Sequence, residues 1–148
     1  MEKFYIDSDI KKAETLPARF YKSQEVFDRL KESVFLKAWH WIGDEHTLVP
    51  LNESVYPLVL LENYLTEPLL VVRDSNNKTK CLTNVCTHRG NLVMHNPGKA
   101  KNLTCMYHGR RFGLNGSFKS MPEFEEAENF PRPCDNLHEF PLKRLGAH

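Results

Sequence analysis

The feature that most constrains this chain is a pair of short loops separated by a fixed spacing. Cys86-Thr87-His88-Arg89-Gly90 is followed by Cys105-Met106-Tyr107-His108-Gly109, with sixteen residues between His88 and Cys105. Each loop offers one thiol and one imidazole. Two thiolates and two imidazoles make a complete ligand set for a metal centre, and the question is which metal. A single zinc ion could take a Cys2His2 set, but zinc sites usually pair like ligands on one element, Cys with Cys and His with His. Here each loop carries one of each.

The mixed pairing favours a two-iron centre. In a Rieske-type [2Fe-2S] cluster two Cys hold one iron and two His replace Cys on the other. A loop bearing one Cys and one His touches both irons, so two such loops facing each other close around the cluster like a clasp. The pattern C-x-H-x16-C-x-x-H, with Arg89-Gly90 after the first His and Tyr107 before the second, resembles a Rieske domain. It is more similar to the N-terminal domain of the large (alpha) subunit of Rieske ring-hydroxylating, non-haem iron oxygenases than to the Rieske protein of cytochrome bc complexes. The bc type carries an extra Cys in each loop, forming a disulfide, where this chain has Asn91 and Tyr107. It also places Ser and Tyr hydroxyls on cluster sulfur, where this chain has Arg110 and Phe112.

The resemblance implies one [2Fe-2S] cluster held by Cys86, His88, Cys105 and His108. It also implies a remote N–H on each ligand imidazole whose acidity follows the charge on iron, so that electron and proton uptake are linked. A cluster of two ferric ions, two sulfides, two thiolates and two neutral imidazoles is formally neutral, which makes it easier to reduce than an all-thiolate cluster. Hydrogen bonds to sulfur add to this. With both hydroxyl donors missing, the expected potential lies towards the lower end of the Rieske range, about −150 mV rather than about +300 mV. Arg110 stands where Trp commonly follows the second His-Gly in these oxygenases.

The remainder of the chain suits such a domain. A length of 148 residues with 41% hydrophobic content is enough for one buried core. A net charge of +1 gives no sign of a nucleic-acid or membrane partner. No run approaches the roughly 18 apolar residues of a membrane span, and the first residues lack the apolar segment of a secretory signal. A cytoplasmic location is expected. Cys81 and Cys134 then read as free thiols of a reducing compartment.

Residues 1–42 read as an arm and a helix, and residues 43–148 as the cluster-binding domain. The arm is expected to be extended up to Tyr21. Ser23 offers an N-cap and Glu25 a first-turn carboxylate, and Val26, Leu30 and Val34 recur on one face of an amphipathic helix of about four turns. The order Leu16-Pro17-Ala18-x-x-Tyr21, Glu25-Val26-Phe27, Phe35-Leu36-x-x-Trp39-x-x-Ile42-Gly43 is also similar to the lead-in of oxygenase large subunits. From Trp39 onward short β-rich runs predict a mainly β fold of small antiparallel sheets. Strands are expected at 46–49, 56–62, 69–73 and 80–85, with Pro50, Pro57 and Pro68 as boundaries. Residues 74–78 read as a turn, 112–118 as a hairpin and 138–145 as a final strand. Residues 119–137, rich in Pro and Glu (Glu123, Glu125, Glu126, Glu128), read as a solvated connection or as a docking surface for a redox partner.

Among the remaining charged residues, His40, His46 and His138 read as structural or surface histidines, and His95 as a surface residue or a modulator of the potential. Arg89 and Arg110 either bring positive charge to the cluster or pair with carboxylates inside the domain. In the resembled oxygenases the cluster delivers electrons to a mononuclear iron held by two His and one carboxylate in a C-terminal catalytic domain. Its usual spacing, Asp/Glu-x2-His-x4-His, begins at Asp135 and His138 but meets Lys at position 143. The expectation is therefore an electron-transfer domain that receives one electron from a reductase or ferredoxin and passes it to a mononuclear iron centre outside these residues, without hydroxylating substrate itself. A stand-alone Rieske ferredoxin is the alternative, and a structural zinc module a third reading.

Overall fold

In the computed structural model, residues 3–124 and 126–146 are described, and the chain forms two compact units, Met1–Trp41 and Ile42–His148.

In the first unit the arm is not extended throughout: Ala18–Lys22 forms a short helix, α1. Pro17 precedes it with φ −67° and ψ 153°, and its carbonyl accepts the Phe20 N–H at 2.9 Å. Proline's fixed φ thus starts the turn, and the Phe20 ring meets Phe4 edge-on at 5.1 Å. Ser23 ends α1 in an extended conformation and caps α2 (Gln24–Ser33), its Oγ accepting the Val26 N–H at 3.3 Å. At ten residues, or about three turns, α2 is shorter than expected. The chain tightens after Val34 into a single 3₁₀ turn, Phe35–Lys37. His40 belongs to this unit's internal structure, because its Nε2 donates to the Phe35 carbonyl at 2.7 Å and its ring stacks on Phe35.

The second unit begins with a helical turn where the sequence predicts a strand. Residues 46–49 do not form a strand, since Glu45–Leu48 is a helical turn, α3. Asp44 decides this locally: its Oδ1 accepts the His46 and Thr47 N–H groups at 2.9 and 3.1 Å, satisfying donors that a helix start leaves open. Among the described residues eight strands follow: β1 Ser54–Leu60, β2 Glu67–Arg73, β3 Thr79–Thr83, β4 Gly98–Lys99, β5 Leu103–Thr104, β6 Arg111–Phe112, β7 Phe118–Ser120 and β8 Glu139–Phe140. They make an antiparallel five-stranded sheet in the order β4-β1-β2-β3-β8 and a three-stranded sheet β5-β6-β7.

Pro57 and Pro68 lie inside β1 and β2 rather than at their boundaries, paired with Leu70 and Val59. β4 covers β1 only at Ser54 and Val55, so the outer edge of β1 is unpaired at Pro57 and a missing N–H breaks no ladder bond there. The β2–β3 turn forms as its composition predicts. Asp74 Oδ1 accepts the N–H groups of Asn76 and Lys78, each at 2.9 Å, and Asn77 takes φ 63°. The closing strand is cut to two residues, Lys119 and Ser120 belong to β7, and the described residues from 121 to 137 are irregular apart from the 3₁₀ turn Pro133–Asp135. Glu123, Glu126 and Glu128 lie in turns of this segment, while Glu125 falls outside the described residues.

The core is formed by Val55, Leu70, Val72, Leu82, Val93, Leu103, Phe112 and Leu137, and it includes Cys86 and Cys105. The two cysteines are therefore rooted in the packed interior, with the histidines of the same loops further out. At the far side of β2, Arg73 Nη2 lies 3.1 Å from Glu45 Oε1, and Arg144 Nε lies 2.7 Å from Glu45 Oε2. Thr79 Oγ1 donates to Glu45 as well.

Candidate metal centre

The two Cys-His loops share one backbone design. The Cys86 N–H donates to the Asn91 carbonyl at 2.8 Å, and the Gly90 N–H donates to the Cys86 carbonyl at 3.0 Å. In the second loop the Cys105 N–H donates to the Arg110 carbonyl at 2.9 Å, and the Gly109 N–H donates to the Cys105 carbonyl at 3.0 Å. Each loop turns back on itself at a glycine with positive φ, 72° at Gly90 and 71° at Gly109, a conformation that costs an L side chain about 1–2 kcal/mol. Asn91 and Arg110 are thus equivalent positions of two matching loops.

The structure pairs the candidate ligands by type, thiol with thiol and imidazole with imidazole. The Cys86 and Cys105 thiols lie in the buried layer, at 3% and 2% exposure, near enough for each to shift the other's acidity. The His88 and His108 rings are half-buried, with centroids 4.7 Å apart. Among the described residues, no three or more His, Cys, Asp or Glu side chains are grouped as the ligands of a single ion. A two-and-two arrangement suits a centre with two metal positions, soft donors facing one and imidazoles the other.

The two candidate thiols differ in their electrostatics. Burial pushes the Cys86 thiol up, against a hydrogen bond from the His88 N–H. Burial acts in the same sense on Cys105, but the N–H groups of Tyr107 and His108 and the Asn91 amide point at its sulfur and bring it below the ordinary thiol value. His88 is held below the usual imidazole value by burial and by the charges of His108, Arg89 and Arg110, which favours the neutral ring that a metal needs. Cys81 is a buried free thiol that burial raises to about 11, and Cys134 is exposed.

Several side chains around the loops were not assigned this role from sequence. Arg110 is 2% exposed, and its Nη2 donates to Asp135 Oδ1 at 2.8 Å and to the Asp135 carbonyl at 3.1 Å. Of its two sequence readings, the internal carboxylate partner is the one observed. Its guanidinium lies 5.0 Å from the Phe118 ring and 5.5 Å from Phe130, a setting that desolvated cation–π contacts favour. Thr87, between the two candidate ligands of the first loop, donates to the same Asp135 carbonyl at 2.8 Å. One peptide group, 27 residues beyond His108, therefore receives a hydrogen bond from each ligand loop. Asn91 Nδ2 lies 3.7 Å from Cys105 Sγ. The Phe124 ring meets His88 at 6.0 Å. An Arg in a position that otherwise suits a large apolar side chain is a sequence signal for a buried ion pair, but nothing in the sequence identifies Asp135 as its partner.

Above the rings opens a cleft of about 410 Å³ lined by His88, Arg89, His108, Met121, Pro122, Glu123 and Phe124. Next to it Met106 and Tyr107 are 78% and 58% exposed. His46, His95 and His138 are exposed, and none of them lines this cleft.

Comparison with known proteins identifies the family. Residues 39–131 match the Rieske [2Fe-2S] domain family. The chain is 33% identical over 143 residues to the carnitine monooxygenase oxygenase subunit of Acinetobacter baumannii, covering 96% of this chain and 36% of that protein. It is 32% identical over 114 residues to the biphenyl 2,3-dioxygenase alpha subunit of Rhodococcus jostii, covering 76% of this chain and 24% of the relative. Among solved structures, the quaternary ammonium Rieske monooxygenase CntA in complex with L-carnitine superposes with a TM-score of 0.78 at 26% identity, covering 88% of this chain and 36% of that one. The chain thus spans about a third of the length of the carnitine monooxygenase subunit it matches, including that protein's Rieske portion. The fold, the paired Cys-His loops and these relatives together place the chain in the Rieske [2Fe-2S] domain family, as the electron-transfer module found in oxygenase alpha subunits.

Proposed function

We propose that Cys86 and Cys105 hold one iron, and His88 and His108 the other, of a Rieske [2Fe-2S] cluster that accepts and releases one electron. The observation that carries this reading is the separation of the four side chains into a buried thiol pair and an outer imidazole pair. A lone zinc ion would draw all four to one point. When bound, the cluster supplies a one-electron couple at a potential set by its ligands and their hydrogen bonds. The chain's own residues do the rest. The apolar core around Cys86 and Cys105 excludes water from the thiolates, and the matching loop frames fix the direction of each ligand. The two imidazoles bring the redox centre to the rim of the cleft, where a partner can approach.

The module receives its electron from a reductase or ferredoxin and delivers it to the mononuclear iron of an oxygenase catalytic domain outside these 148 residues. The relatives' identity as oxygenase subunits supports this direction of flow. In this scheme residues 43–148 work as the Rieske domain and residues 1–42 as its N-terminal arm and helix. No helix of the described residues is long and apolar enough to cross a membrane, and we place the protein in the cytoplasm.

Metal and acid-labile sulfide content of freshly purified protein tests the reading directly. Two irons and two sulfides per chain are expected. One zinc without sulfide would replace the reading with a structural module.

A further inference from the structure

We propose that Asn91 sets the electron affinity of the iron–sulfur site by donating a side-chain hydrogen bond across the loops to the Cys105 sulfur. The inference rests on Cys105 being a cluster ligand. Asn91 closes the first ligand loop through its carbonyl, which accepts the Cys86 N–H at 2.8 Å. Its side chain reaches the second loop, with Nδ2 3.7 Å from Cys105 Sγ. The orientation of the amide follows from its other bond. Nδ2 also donates to the Leu92 carbonyl at 2.9 Å, and a carbonyl only accepts, so the NH₂ edge faces both acceptors.

The equivalent residue of the other loop behaves differently. Arg110 closes its loop with the same backbone bond but directs its side chain to Asp135 instead of to the Cys86 sulfur. The matched loops therefore carry an asymmetric donor: Asn91 adds an amide N–H to Cys105, beside the backbone N–H groups that both sulfurs receive. Cys105 is 2% exposed, so bulk water does not compete for that sulfur. Adding an electron to the cluster raises the negative charge on its thiolates, and a donor aimed at one of them stabilises the reduced form more than the oxidised form.

Asn91→Leu removes the donor at similar volume, and Asn91→Ala removes it with less bulk, both in the full 148-residue chain. Iron and sulfide analysis of the unsubstituted protein comes first, because failure to find two of each would overturn the ligand assignment independently of Asn91. With that in place, both variants are expected to keep two irons and two sulfides and to bind an electron about threefold to tenfold more weakly. Tenfold corresponds to a fall of about 59 mV in a one-electron midpoint. The reduced unsubstituted protein should also show, by hyperfine spectroscopy in H₂O against D₂O, an exchangeable proton coupled to the cluster that both variants lose. Loaded variants with an unchanged midpoint and unchanged proton couplings would overturn the proposal. So would failure of both variants to assemble a cluster, which would reduce Asn91 to a tie between the loops.

Discussion

Arg110 and Asp135 form a buried ion pair, Nη2 to Oδ1 at 2.8 Å, directly behind the second ligand loop. The pair reaches both loops, because the Asp135 carbonyl takes hydrogen bonds from Arg110 and from Thr87. Related bc-type domains tie the same two loops with a disulfide; here Asp135 joins them without a covalent bond.

Removing one member of a buried pair leaves the other charged and unpaired, at a cost of about 3–5 kcal/mol. Arg110→Ala should destabilise the second unit on that scale and reduce the iron retained through purification. Denaturant unfolding followed by fluorescence, with iron analysis alongside, measures both. A change under about 1 kcal/mol would mean that the pair is solvated in solution.

The same pair gives a pH dependence of known sign. Burial pushes the Asp135 carboxyl up, but the hydrogen bonds from Arg110 and from the Arg132 N–H outweigh it and hold the group below the usual carboxylate value. A carboxylate with a depressed folded pKa contributes stability that is fully present above its unfolded value, about 3.9, and is lost as pH falls through the folded value. Stability of the apoprotein should therefore drop below about pH 4. Asp135→Asn should be less stable at neutral pH and should flatten that acid limb. An unchanged acid limb in this variant would assign the dependence to other carboxylates, Glu45 among them, which is lowered by its hydrogen bonds from Arg144 and Thr79 against the opposing effect of burial.

The two loop glycines should differ in their tolerance of alanine. Both have positive φ, but a Cβ on Gly109 would sit 3.2 Å from Pro122 Cγ, whereas one on Gly90 meets nothing within 4 Å. Gly90→Ala should cost only the backbone strain, about 1–2 kcal/mol, and keep the cluster. Gly109→Ala should cost more and lower cluster occupancy, as read from the visible absorption per chain. Equal losses would show that Pro122 moves aside freely.

Thiol accessibility should separate the two non-ligand cysteines. Cys134 is exposed and should react promptly with an aromatic disulfide reagent at pH 8, while Cys81, buried and raised to about 11, should react only on unfolding. Two promptly reacting thiols in the iron-loaded protein would contradict the packing of β3.

A redox titration will place the cluster within the Rieske range. The Ser and Tyr hydroxyl donors of bc-type domains are replaced by Arg110 and Phe112, Arg110 is engaged with Asp135, and Phe112 is fully buried. A midpoint near the lower end, about −150 mV, is expected. A clearly positive value would require sulfur donors other than those described.

What the sequence determined by itself is chiefly local. The Cys86-x-His88 and Cys105-x-x-His108 spacings, the Ser23 cap, the Asp74 turn and the 112–118 hairpin each depend on neighbours a few residues apart, and each is present in the structure. Local patterning erred where two local signals compete. At residues 46–49 the Asp44 cap prevails over β propensity, and Pro57 sits inside a strand because β4 leaves the outer edge of β1 uncovered there. Tertiary structure alone decided that Arg110 would be buried against Asp135, that Thr87 would share its acceptor, and that Asn91 would reach Cys105. These contacts join segments 14 to 48 residues apart, and a hydrogen bond over such distances exists only after the sheets have brought the loops together. The candidate ligands are therefore written in the motif, whereas the groups around them are set by packing.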